Sequence, residues 1–75
     1  MPRIPTVSAR KLIKVLEKKG FTHYRTSGSH HIYIRRSDQA RASVPVHQSK
    51  DLGRGITVAI LKDAGISQEE LLELL

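Results

Sequence analysis

The hydrophobic pattern changes period twice along the chain. After Ser8, apolar Ala9, Leu12, Val15 and Leu16 recur at i, i+3, i+6 and i+7, and Ile13 widens the stripe. Arg10, Lys14, Glu17 and Lys18 lie on the opposite side. This spacing predicts an amphipathic helix. Ser8 is placed to cap its first turn, Lys18 and Lys19 meet the negative end of its dipole, and Gly20 suits the residue that ends it. Pro2 and Pro5 make Met1 to Val7 an extended lead-in.

From Phe21 the period drops to that of strands. Phe21, Tyr24, Ile32, Tyr33, Ile34, Val44 and Val46 are β-branched or aromatic, and turn-forming clusters separate them at 26–29 and 37–39. The reading is a three-strand antiparallel meander over about 22–27, 30–36 and 42–46, with Pro45 restricting the third strand to an edge or to its end. A polar loop follows from His47 to Arg54. Gly55 then opens a second helix with Ile56, Ile60 and Ala64 in register and Leu61 alongside, ended by Gly65. Ser67 and Glu70 have the spacing of a capping box before a last short helix carrying Leu71, Leu72 and Leu75. The order is α-β-β-β-α with a small terminal helix: an α+β fold, read as one domain over 1–75.

Size limits what such a domain holds. A chain of 75 residues buries only roughly 60% of its unfolded surface, which leaves no room for a deep cofactor pocket and favours a shallow, surface-built site. Charge narrows the partner. Thirteen Lys and Arg against seven Asp and Glu give a net charge of +6, and all the basic residues fall within 1–62. The last thirteen residues hold Asp63, Glu69, Glu70 and Glu73 and no basic residue. This block asymmetry predicts a basic working surface for a polyanion, with the C-terminal helix outside it. Arg25, Arg35, Arg36, Arg41 and Arg54 sit in the strand and loop region, where guanidinium forks suit phosphate. There is no cysteine and no run long enough to span a membrane, so a cytoplasmic protein without disulfides is expected.

Four histidines are the candidate chemistry. His30 and His31 are adjacent in a strand, so they point to opposite faces and do not readily share a metal ion. No HExxH motif, cysteine or carboxylate cluster completes a zinc shell. Ser29 beside His30 has no nucleophile-elbow context. General acid–base chemistry on a phosphodiester fits better. RNA brings its own 2′-hydroxyl nucleophile, histidine transfers protons near neutrality, and arginine offsets charge on the phosphorane without a metal. His30 beside Arg25, Arg35 and Arg36 is one such constellation. The competing reading makes His30 or His31 a partly buried sheet residue packed beside Ile32 and Tyr33.

Several segments together resemble the HicA (YcfA-like) family: Gly28-Ser-His-His-Ile-Tyr33, then Val44-Pro45-x-His47, Lys50-x-Leu52-x-x-Gly55, and Ile60-Leu61-x-x-Ala64-Gly65-Ile66-Ser67. The end of the first helix, Leu16 to Phe21, also fits, and the resemblance covers nearly the whole chain. It implies a double-stranded-RNA-binding-domain-like α-β-β-β-α fold, with helices on one face of a three-stranded antiparallel sheet. It implies a toxin of a type II toxin–antitoxin pair that cleaves mRNA without metal or other cofactor, and a HicB-like antitoxin that covers the active site. The family histidine falls on His30, with His31 as second candidate because the two are adjacent; the pattern His-x-x-apolar fits His30. Arg25, Ser29, Arg35, Arg36, His47 and Lys50 are the expected RNA-binding residues. Many members carry Gly-Thr at the start of the second main helix, whereas this chain has Gly55-Ile56-Thr57. Two readings from other classes stay open here: a non-catalytic RNA-binding module of the same fold, and a protein whose basic face serves only an acidic partner.

Overall fold

The computed structural model describes residues 5–46 and 51–75. Their elements run β1 (Val7–Ser8), α1 (Ala9–Lys18), β2 (Thr22–Ser27), β3 (His30–Arg35), β4 (Ala40–Pro45), β5 (Asp51–Leu52), α2 (Arg54–Ala64) and α3 (Gln68–Leu74). Strands β2, β3 and β4 form the antiparallel meander in that order. The helices cover one face of it. Tyr33, Ala42 and Val44 point into a core shared with Leu12, Val15 and Leu16 of α1 and Ile60, Leu61 and Ala64 of α2. Along an antiparallel ladder opposed residues share a face and neighbours alternate, so the register Tyr33↔Ala42 and His31↔Val44 fixes which residues face the helices.

The α1 stripe is buried as its period predicts, and the Ser8 hydroxyl accepts the Lys11 amide at 3.2 Å as N-cap. Helices α1 and α2 end identically. Gly20 (φ +91°) and Gly65 (φ +70°) take the left-handed conformation that side chains disfavour. In each, the next residue's N–H reaches back five positions, Phe21 to Leu16 and Ile66 to Leu61, closing a Schellman motif.

Arg35, at the end of β3, joins these two ends. Its Nη1 donates to the Lys19 carbonyl and its Nη2 to the Ala64 carbonyl, each at 3.2 Å. Asp38 grips the same guanidinium through Nε and Nη2 at 2.9 and 2.8 Å, and the Phe21 ring lies 4.8 Å beneath it. A single cation thus sits at the negative ends of two helix dipoles.

Four expectations change. Val7 and Leu52 are paired and buried across a small β1–β5 ladder, where the sequence reads as lead-in and polar loop. Two-residue strands are too short to show a period. Strand β4 begins at Ala40 and ends at Pro45 instead of running 42–46, because Ala40 pairs with Arg35 and packs on the core. Helix α2 starts at Arg54 behind a Gly53 cap, so Thr57 takes the buried place and Ile56 is 48% exposed. The buried Thr57 hydroxyl is satisfied by the Gly53 carbonyl at 3.0 Å. In α3, Leu71 is buried and Leu74 partly so, whereas Leu72 and Leu75 face outward. Helix α3 packs on α1, tied by the Lys19–Glu70 ion pair and by Lys18 Nζ on the Leu74 carbonyl.

Two predictions concern this clamp. Arg35→Lys keeps the charge but not a fork that reaches two carbonyls and a carboxylate. It is expected to lose about 2 kcal/mol, or roughly 10 °C in a thermal melt, the size of lost hydrogen bonds to charged groups in a small domain. An unchanged melting temperature would show the clamp to be dispensable. The second concerns pH. Hydrogen bonding from Arg35 lowers the Asp38 carboxyl from 3.8 to about 2. A depressed carboxyl stabilises the fold fully above its unfolded value and loses that contribution as pH falls through its folded value. The wild-type melting temperature should therefore fall between pH 4 and pH 2, and Asp38→Asn should flatten part of that fall. Glu70, lowered chiefly by its bond from Lys19, adds a loss of the same sign as pH falls.

Candidate functional site

The register that buries Tyr33, Ala42 and Val44 turns their neighbours outward. His30 opposes Ser27 and Pro45, Ile32 opposes Arg25 and Ser43, and Ile34 opposes Thr22 and Arg41, all on the face away from the helices. The alternation alone would not bring Arg25 there. Between His23 and Arg25 the β2–β3 ladder slips by one residue. That bulge sets Arg25, instead of Tyr24, opposite Ile32, and bulges beside functional sites commonly re-aim a side chain in this way. Tyr24 shares the face, since the Arg41 guanidinium lies 5.8 Å from its ring centroid.

His30 is exposed at the start of β3. Its Nδ1 lies 3.5 Å from the Ser43 hydroxyl, and among the described residues no hydrogen bond engages Nε2. The two-residue turn Gly28-Ser29 holds it in place, because the Ser29 carbonyl accepts the Val46 amide at 2.7 Å and ties the turn to the end of β4. Arg25 and Ser43 sit one same-face step along the strands, about 7 Å from the His30 row at strand rise.

His31 is turned the other way. It is half-buried on the helix side, with the His23 ring edge-on at 5.8 Å. His23 in turn stands 5.4 Å from the Tyr33 ring and bonds Thr26 through Nε2 at 2.8 Å. Burial first and Glu17 second raise the Tyr33 hydroxyl above its ordinary value. The two candidate histidines therefore belong to opposite faces, one polar and basic, the other an aromatic cluster at the margin of the core. Among the described residues no group of three or more His, Cys, Asp or Glu is placed to hold a metal ion.

The remaining expected residues separate. Arg25 and Ser29 flank His30. Arg35 is engaged by Asp38, Lys19 and Ala64, so its donors serve the fold. Arg36 is exposed just beyond the far end of β3, about 20 Å from His30 at strand rise. His47 and Lys50 lie outside the described residues. The Thr57 hydroxyl, in the first turn of α2, is buried and donates to the Gly53 carbonyl. Arg41 was read from the sequence only as one of five arginines suited to phosphate, and Ser43 and Tyr24 were not read as site residues. The available signal was the alternation Arg41-Ala-Ser43-Val44, polar out and apolar in, which identifies them only once the β3–β4 register is known.

No helix among the described residues is long and apolar enough to cross a membrane. No curated protein matches the chain. The family model described as HicA toxin of bacterial toxin–antitoxin matches residues 9–66, from the first residue of α1 through the meander to the residue that closes α2. With more than half its length in that match, and with the fold the family resemblance implies, the chain belongs to the HicA toxin family of bacterial toxin–antitoxin systems.

Proposed function

We propose that the chain is the toxin of a type II pair and acts in the cytoplasm as a metal-independent endoribonuclease on mRNA, with His30 as its proton-transfer residue. A HicB-like antitoxin would cover the His30 face. The observation that supports this reading most is the placement of His30 on the open face with Arg25, Arg41 and Ser43, in a chain of this family.

The chemistry follows from that placement. The RNA 2′-hydroxyl attacks the adjacent phosphorus, and His30 Nε2 takes its proton while Ser43 at Nδ1 orients the ring. The new 2′-oxygen–phosphorus bond forms as the bond to the 5′-oxygen breaks. The imidazolium returns the proton to that leaving oxygen, giving a 2′,3′-cyclic phosphate and a 5′-hydroxyl. Arg25 and Arg41 offset the negative charge that grows on the phosphorane oxygens. His31, turned toward His23 and Tyr33, is assigned no step.

Purified protein in excess EDTA is expected to shorten single-stranded RNA and leave 2′,3′-cyclic phosphate ends. His30→Ala should lower the rate by about 10²–10⁴, the usual size of a general acid–base contribution, with an unchanged melt because the residue is exposed. His31→Ala should retain cleavage. Loss of activity in His31→Ala alone would move the site to the other face. Intact RNA with wild type, shifted in mobility at low salt, would make the chain a binding module.

A further inference from the structure

The open face carries one aromatic side chain that the proton-transfer chemistry leaves unused. Tyr24 is 51% exposed on β2, whereas the other tyrosine, Tyr33, is buried in the core. Arg41 backs Tyr24 at 5.8 Å, within the range of a cation–π contact. The pair lies on the same face as His30, with Ile32 and Ile34, both partly covered, as its floor.

We infer that Tyr24, backed by Arg41, is a stacking platform for one unpaired base of a single-stranded RNA, adjacent to the phosphate presented to His30. Three features of the face favour this ligand. A base stacks on an aromatic ring only when it is free of its own helix, so the platform selects single strands, loops or ends. The bulge places Arg25 one same-face step from His30, about 7 Å at strand rise, with Tyr24 next to it on the Arg41 side. That step is comparable to the phosphate-to-phosphate advance of an extended strand, so a base on Tyr24 leads its backbone past Arg25 toward His30. Finally, Arg25 and Arg41 bring backbone-binding charge to successive rows of the same face, whereas recognition of a duplex by shape needs no exposed aromatic residue.

This inference rests on the endoribonuclease reading for the meaning of the phosphate at His30, but its test does not. The probe is a short 2′-O-methyl oligonucleotide, which lacks the nucleophile and cannot be cleaved, labelled for fluorescence anisotropy at low salt. Wild type should bind it more tightly than a blunt duplex of the same sequence. Tyr24→Phe keeps the ring and should bind like wild type. Tyr24→Ala should weaken binding about 5- to 150-fold, the range for one stacked base. A single abasic position should weaken wild-type binding by a similar factor and have no further effect in Tyr24→Ala. Unchanged affinity in Tyr24→Ala, at an unchanged melting temperature, would overturn the platform, as would equal affinity for the duplex. The same proteins are assayed on ordinary RNA. Stacking without cleavage in wild type would sink the nuclease reading alone, and cleavage with Tyr24-independent binding would sink the platform alone.

Discussion

The fold depends on how the guanidinium of Arg35 is held. Two helices end within reach of it, each leaving carbonyls that the helix itself cannot satisfy. Arg35 donates to one carbonyl from each, while Asp38 fixes the fork from the turn beyond β3. The arrangement requires both helix ends to turn sharply at the same depth, and the glycines at 20 and 65 allow it. A Cβ built at either would lie within 4 Å of the Arg35 side chain. In a domain with so thin a core, this contact sets the relative position of α1, α2 and the far end of β3 in one place. Sequence reasoning assigned Arg35 to phosphate because arginine forks suit phosphate. The same planar geometry suits a pair of carbonyls and a carboxylate, and composition does not distinguish the two uses.

The meander consequently has one face packed on the helices and one left open. The helices rest on Tyr33, Ala42 and Val44, and the charge of α3 is spent against α1 through Lys19 and Glu70. All six residues of β2 are exposed, so this edge strand contributes side chains to the outer face at little cost in burial. A bulge is tolerable there because a slip in an edge ladder disturbs no second neighbour. It is also useful there, since it turns Arg25 onto the face of His30.

Much of this was legible in the chain. The α1 stripe, its caps, the three strands and the capping box of α3 each follow a local rule whose residues are adjacent in sequence. What was not legible depended on distant partners. The β1–β5 ladder joins Val7 to Leu52, and its two-residue strands carry no period. Thr57 in the α2 stripe was overlooked because a hydroxyl reads as polar until its bond back to Gly53 is seen. At the site, His30 was within reach of pattern and resemblance. Ser43 was not, and Arg41 was legible only as an arginine suited to phosphate, because both lie on another strand and join the site only through register.

Register also sets which face each of the two histidines takes. A slip of one residue exchanges the faces of a strand; it would bury His30 beside the helices and present His31 to the outside. Such a slip would also turn Tyr33 out of the core and bring Ile32 and Ile34 in, leaving Arg35 pointing away from both helix ends. The core and the clamp resist it together, at opposite ends of β3. The face on which His30 appears is therefore set by residues on the other side of the sheet. In a domain this small, the hydrophobic core and the arginine clamp are what make His30, and not its neighbour, the residue exposed on the basic face.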